Sequence, residues 1–453
     1  MPRNLALKSL NRAGTSGRAE QRLEILFSQN PGFNNRDRAF AVHLVQGVLR
    51  WRIRLDWLLK QYVRFPFRKI DPQVLNILRL ALFQILFLDR VPESAAVNEA
   101  VKQTQKIGKN HVAKFVNGIL RQICREKEQL PYPHREKERD LYISVYYAYP
   151  MWLVKKWTRE LGADMAMQLL KAGNEIPKLT IRTNTLRTTR QLLLNRLEEE
   201  GIEGRAVSFA PEGIELINFK GSISRIKAFK EGLFQVQGEA AQVCAHLLSP
   251  GKEGLIADMC AGLGGKSTHL AELMGNCGRI LALDTSFARL RGLRQNTERL
   301  SIGSISPLVA DVMAPISFLR GSFHKIMVDG PCSGLGVISK HPDTKLTKKE
   351  DDIKRLAMIQ KSILSQSCQV LNRNGEMLYV TCTISKEENE AVVESLLRKN
   401  HGVVLQDLRS RIPPWGVDLV DDHGFLKTFP HIHGMEGFFA ALFRKTDLKR
   451  GII

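Results

Sequence analysis

From Phe40 to Val63, apolar residues such as Phe40, Leu44, Val48 and Leu55 recur at helical intervals with Arg and Lys between them. That period predicts an amphipathic helix with a wet, basic outer face. Val112, Phe115, Val116, Ile119 and Ile123 repeat the pattern. The most apolar stretch, Val74 to Leu88, is broken by Asn76, Arg79 and Gln84, so it predicts a buried helix and no membrane span. Pro72 suits its start and Pro92 its stop. The first third of the chain therefore reads as all helical, as far as about Lys127.

Leu130 to Pro133, with Pro-Tyr-Pro, and the charge run to Asp140 read as a linker. Leu153 to Ala172 returns to a helical period. Leu179 to Asn184 then alternates as a strand, a helix is expected from Thr189 to Glu200, and Gly201, Gly204 and Gly213 punctuate short strands, which makes a small α+β domain ending near Lys230. After Phe234 the runs Leu255–Met259, Arg279–Leu283, Ile305–Val309, Lys325–Val328 and Glu376–Val380 each lead into a turn rich in Gly, Asp, Pro or Cys, with helical segments between them. Such alternation predicts a mostly parallel, doubly wound α/β sheet, with ligands at the carboxyl ends of its strands. The expected domains are 1–130, 131–232 and 233–453.

Charge adds a partner class to this outline. The chain of 453 residues carries a net charge of +21. Residues 1–150 hold 26 Lys and Arg against 13 Asp and Glu, so this third contributes +13 of the +21. An asymmetry of that size points to a polyanionic partner, namely a nucleic acid. Seven cysteines, an odd number with no C-x-x-C pair, argue against both a zinc ribbon and a disulfide framework. The basic N-terminal stretch lacks the apolar core of a secretory signal.

Candidate chemistry begins at Asp258-Met-Cys260-Ala261-Gly262-Leu263-Gly264-Gly265-Lys266-Ser267. Glycines let backbone amides approach a ligand, and the helix expected from Ser267 to Met274 points its positive end there. A Walker A loop needs Gly where Cys260 stands, and the dinucleotide fingerprint needs Gly or Ala at Ser267, so both motifs fail. Asp284, at the end of the second strand, is placed to accept the ribose hydroxyls of a nucleoside cofactor.

Two further strand ends carry thiols: Val328-Asp329-Gly330-Pro331-Cys332-Ser333-Gly334 and Tyr379-Val380-Thr381-Cys382-Thr383. A paired arrangement of this kind suits methylation of cytosine C5. That carbon is too weak a nucleophile until a thiolate adds at C6. Protonation of N3 by a carboxylic acid assists the addition, and Asp329 is in position. A second group must then help remove the C5 proton. Either cysteine could be the nucleophile on these grounds alone.

With these residues on the page, Phe234 to Arg444 resembles the RNA 5-methylcytosine methyltransferases, and the whole chain resembles their bacterial 16S rRNA methyltransferase B branch (Sun or Fmu). The resemblance rests on Val236-Gln237 with Ala240-Ala241-Gln242, the loop from Cys260 to Lys266, Asp329-Gly-Pro-Cys332-Ser, His341-Pro-Asp343, and Thr381-Cys382-Thr with Glu387-Glu388-Asn389. The N-terminal region resembles the antitermination factor NusB through Leu44 to Leu49, Ile77 to Ala81, Val91-Pro92, Asn98 to Val101 and Phe115 to Gly118.

The resemblance implies a multidomain protein: an all-α NusB-like domain, a small α+β domain and a Rossmann-like class I methyltransferase domain. It implies S-adenosylmethionine as cofactor, held by Cys260, Ala261, Gly262, Leu263, Gly264, Gly265, Lys266, Asp284, Arg289, Asp311 and Asp329. It makes Cys382 the nucleophile and Cys332 the release residue, with Lys266 and Asp329 beside them. The expected partner is RNA, namely 16S rRNA, with a monomer in the cytoplasm, no membrane and no metal. Two departures stand out: Leu263 replaces a frequent Pro, and Thr344-Lys-Leu346 replaces Ile-Lys-Trp, which could touch base or strand contacts.

Other residues read as structural. His431 and His433 are expected on one strand face without a third metal ligand. Ser385 to Glu388 fits a capping box for the next helix. Phe438 to Phe443 fits a buried closing strand. The competing reading, a NusB-like RNA-binding factor with a decayed catalytic domain, is opposed by intact Lys266, Asp329, Cys332 and Cys382.

Overall fold

The computed structural model describes residues 2–11, 19–30, 32–314, 319–399 and 402–446, which form two compact units. The first comprises Met1–Glu175 together with Ser339–Thr347, and the second Ile176–Ile338 with Lys348–Ile453.

The first unit is helical. Its central helix, Pro72–Phe87, starts where Asp71 accepts hydrogen bonds from the amides of Gln73 and Val74, with Pro72 in the first turn. The polar interruptions are internally satisfied. Arg79 makes a two-pronged pair with Asp56 and also bonds Asn76, while Gln84 donates to the Leu80 carbonyl. The long helix Asn35–Tyr62 packs on it at Gly47, where an added Cβ would lie 2.0 Å from the Phe83 ring. Pro92 opens the next helix, Glu93–Lys106, and the central helix has already ended at Phe87.

Residues 130–146 do not behave as a free linker. Tyr132 and Tyr146 meet edge to face, and the Arg54 guanidinium lies against both, 4.9 and 4.5 Å from the ring centres; Leu130 packs on the helical core. This packing carries the unit past the boundary expected at residue 130. The helical period from Leu153 to Ala172 forms two helices, Met151–Leu161 and Ala163–Ala172, divided at Gly162 with its positive φ. The segment 339–347 completes the unit. Lys345 is fully buried, donates to Asn174 and lies over the Tyr149 ring. Of the two replacements after His341-Pro-Asp343, Thr344 is buried and Leu346 packs on the helical core, so both sit in packing positions.

The second unit begins with a four-stranded antiparallel sheet, β1 (Leu179–Thr183), β2 (Gly204–Ala206), β3 (Gly213–Leu216) and β4 (Phe234–Val236), in the order β2-β3-β1-β4. The helix Arg190–Glu199, capped by Thr189, covers it.

The main sheet contains β5 (Leu255–Asp258), β6 (Arg279–Asp284), β7 (Ile305–Val309), β8 (Phe323–Asp329), β9 (Leu371–Thr381), β10 (Val403–Gln406), β11 (Leu426–Lys427) and β12 (Phe439–Lys445). Its order is β10-β12-β9-β8-β5-β6-β7, with β11 paired to β12. The strands from β9 to β7 run parallel, and β12 enters antiparallel beside β9. Successive side chains feed two cores: Ile256, Met327 and Leu378 face one helical layer, while Ala257, Ile326 and Tyr379 face the other. The chain reverses its direction of travel across the sheet between β5 and β8, which opens a crevice at their carboxyl ends.

The two sheets are joined by Arg182 of β1, a fully buried side chain. It makes a two-pronged ion pair with Glu272 at 2.7 and 2.9 Å, and donates to the Gly265 carbonyl at 2.8 Å, to Thr268 at 3.1 Å and to Gln237. Replacing Arg182 by Met strands the Glu272 carboxylate in the interior and should cost about 3 to 5 kcal/mol. The double change Arg182→Met, Glu272→Leu should recover most of that loss. Urea unfolding followed by tryptophan fluorescence measures both, and equal losses in the two variants would contradict the assignment.

Candidate active site

β5 ends in Asp258, and the chain turns through Cys260 to Gly264 before the helix Gly265–Leu273 begins. The turn is held from below. Asp258 takes the Ser267 hydroxyl at 2.6 Å and the Cys260 amide at 3.3 Å. Burial pushes its carboxyl up to about 6, with the Ser267 bond opposing that rise.

Gly262 and Gly264 have φ of +56° and +82°, a conformation costly for other residues. They serve different purposes. A Cβ on Gly264 would meet Leu293 at 2.7 Å, so this glycine allows close helix packing. Gly262 and Gly265 have nothing within 4 Å of that position, and their backbone opens onto a cavity of about 540 Å³.

Of the residues expected to hold the cofactor, Cys260, Ala261, Gly262, Leu263, Gly265, Lys266, Asp284, Arg289, Asp311 and Asp329 line this cavity, and Gly264 does not. The Asp284 carboxylate accepts the Gly262 amide at 3.0 Å and the Ser286 amide at 2.8 Å. Each oxygen retains capacity for a hydroxyl. Arg289 is mostly exposed, 3.7 Å from Asp284. Asp311 accepts the Met313 amide at 2.9 Å. Sequence reasoning passed over the apolar wall formed by Val312, Met313, Pro331 and Ile359, because these residues come from three separate segments, one of them the helix Glu350–Val370, and share no motif.

The donor set fits S-adenosylmethionine. Open glycine backbone and the carboxylates match a ribose and a cationic amino acid moiety, and the apolar wall matches a flat purine.

Beyond Pro331 the two thiol turns meet. Cys332 and Cys382 Sγ lie 3.1 Å apart, and both side chains are partly exposed. The hydrogen bond from Cys332 pulls the Cys382 thiol below its ordinary pKa, against burial and the Asp329 charge, with Lys266 assisting. The same bond, together with burial, pushes Cys332 well above the thiol range. Lys266 Nζ donates to Asp329 at 2.7 Å.

A buried network registers the two turns. Glu388 accepts from the Ser333 amide at 2.8 Å, from the Ser333 hydroxyl, and from Gln360 at 3.1 Å. Thr383 bonds Ser333 at 2.9 Å, and Asn389 joins the Thr381 hydroxyl to the Thr383 carbonyl. Ser385 to Glu388 therefore does not form the expected capping box. The next helix, Glu390–Arg398, has no side-chain cap at Asn389, and the Glu388 carboxylate is spent on Ser333. Likewise His431 and His433 lie in a short helix, Pro430–His433, and not on a strand.

A parallel α/β sheet with a glycine turn after its first strand, an acid after its second and a nucleoside-sized cavity between them defines a class I methyltransferase, whose methyl donor is S-adenosylmethionine. Residues 245–444 match the model of the 16S rRNA methyltransferase RsmB/F family, residues 1–125 that of the NusB family, and residues 149–221 the ferredoxin-like domain of RsmF/B-like methyltransferases. The chain is 34% identical to the probable ribosomal RNA small subunit methyltransferase B of Bacillus subtilis, covering 91% of each protein. The crystal structure of PH0851 superposes over 98% of this chain and 99% of its own, with a TM-score of 0.84 and 26% identity. NSun6 from Pyrococcus horikoshii, crystallised with SFG, matches 66% of this chain and 99% of its own at TM-score 0.58 and 25% identity. The chain belongs to the ribosomal RNA small subunit methyltransferase B family. Among the described residues no helix is long and apolar enough to cross a membrane.

The asymmetry of the thiols makes a measurable difference. Because its pKa is lowered and that of Cys332 is raised, Cys382 carries the larger thiolate fraction at any given pH, so iodoacetamide should label it faster than Cys332, as read by peptide mass spectrometry. Cys332→Ala removes the stabilising donor and should move the alkylation profile of Cys382 to higher pH; an unmoved profile would contradict this origin of the shift.

Proposed function

We propose that this protein transfers a methyl group to C5 of a cytosine in the RNA of the small ribosomal subunit, through a covalent bond between Cys382 and C6. The observation that carries the reading is the 3.1 Å pair of unlike thiols beside the cavity.

In this reading Cys382 attacks C6 as a thiolate while N3 gains a proton through Asp329. In the resting protein Asp329 is paired with the Lys266 ammonium, 2.7 Å away. Addition makes C5 electron-rich. S-adenosylmethionine, when bound, supplies the methyl group as a substituent of a sulfonium. Once the Cys382 sulfur is bonded to C6 it no longer holds the Cys332 proton; Cys332 releases that proton to solvent and, as a thiolate, takes the C5 proton, and the Cys382–C6 bond breaks as the ring regains its double bond and N3 returns its proton through Asp329. C6 is shielded in a stacked helix, so the target base is flipped out before attack. Cys260 to Gly262, Gly265, Lys266, Asp284 and Asp311 hold the cofactor, with Arg289 at the rim. The basic helical unit contributes RNA affinity that weakens as salt rises.

Cys382→Ala should abolish methyl transfer. Cys332→Ala should accumulate an RNA–protein adduct that survives a denaturing gel. Bisulfite mapping of 16S rRNA from cells lacking the gene, before and after restoring each variant, identifies the modified base. Full turnover by Cys382→Ala would rule out the covalent scheme.

A further inference from the structure

Three residues before Glu272, on the helix that carries the cofactor turn, stands His269. Its side chain is fully buried, and neither ring nitrogen has a hydrogen-bond partner. An imidazole carries one donor and one acceptor when neutral, and leaving both unpaired in the interior is unfavourable. The ring is not surrounded by hydrocarbon. Its Nε2 lies 3.8 Å from Oε2 of Glu212, the residue preceding β3. The same oxygen lies 3.0 Å from Nε2 of His246, on the helix Glu239–Leu248. The imidazoles meet edge to face at 5.2 Å, and one ligand atom from each residue falls within 4.8 Å of the other two. Glu212 and His246 are themselves nearly enclosed, at 12% and 13% side-chain exposure. The Trp415 ring closes over His246 at 5.4 Å.

Two imidazole nitrogens and a carboxylate oxygen converging from three elements form a zinc donor set. A tetrahedral zinc with bonds of 2.0 to 2.2 Å places its ligand atoms roughly 3.3 Å apart. The separations of 3.0 and 3.8 Å bracket that value. Charge is consistent too. The nearby Arg182 is already paired with Glu272, so Glu212 is the carboxylate that faces the imidazoles.

We propose that Glu212, His246 and His269 bind a divalent transition metal, zinc foremost, with water completing its coordination. The site clips the antiparallel sheet to the two helices packed behind the cofactor turn. It is independent of the methyl-transfer chemistry.

The test uses the full-length chain, dialysed against a chelator and titrated with Zn²⁺ and separately with Co²⁺. One equivalent of zinc should bind with micromolar affinity or tighter. Glu212→Gln and His269→Asn should each weaken binding by roughly a hundredfold, since losing even an outer-shell partner costs 10- to 100-fold. The cobalt form should show ligand-field bands without thiolate charge transfer, which separates this site from the Cys332–Cys382 pair. Glu212→Gln retains a hydrogen-bond partner for His246, so it reports on metal binding even if His269→Asn folds poorly; circular dichroism checks both. Absence of bound zinc, unchanged affinity in Glu212→Gln, or thiolate bands from cobalt would each overturn the proposal.

Discussion

The catalytic unit depends on a guanidinium held where no water reaches. Arg182 leaves the antiparallel sheet and enters the other side of the cofactor turn, where it binds the Gly265 carbonyl and Glu272 together. Bidentate geometry makes the pair directional, so the start and the body of one helix are fixed relative to a separate sheet. The glycine turn can then be open on its ligand side, because its other side is tied down. Gln237 extends the same tie to the cavity wall.

The second constraint concerns the pair of sulfurs. Two strand ends from β8 and β9 would not by themselves hold a separation of 3.1 Å. Glu388 does so by gathering Ser333 and Gln360, while Asn389 fixes the opposite turn. Burial raises the pKa of Glu388, and the hydrogen bonds it accepts act against that rise. Chemically identical side chains thereby acquire opposite acidities from who donates to whom, which suits them to opposite tasks.

Much of this was legible in the order of residues. The parallel strands emerged close to their expected places because buried strands read as short apolar runs, and the cofactor turn because glycine and acid spacing is local. What escaped notice shares a different property. Arg182 sits in an unremarkable alternating strand, and Glu272, 90 positions away, is an ordinary helical acid until folding pairs them. Glu388 looked like a cap because sequence proximity to Ser385 was visible and spatial proximity to Ser333 was not. The aromatic clasp on Arg54 turned an apparent linker into core for the same reason. Local pattern reports elements; contacts between distant segments determine which polar residues are buried and what they do.

The segment 339–347 has a consequence for biosynthesis. The helical unit includes these residues, with Lys345 and Leu346 in its interior. A nascent chain that has emerged only through Glu175 therefore lacks part of that unit's own packing. At 5 to 20 residues per second, the intervening stretch takes roughly 10 to 30 s to translate. During that interval the N-terminal helices wait on the ribosome with one seam open, and they close it only after the glycine turn and Asp329 have already been made.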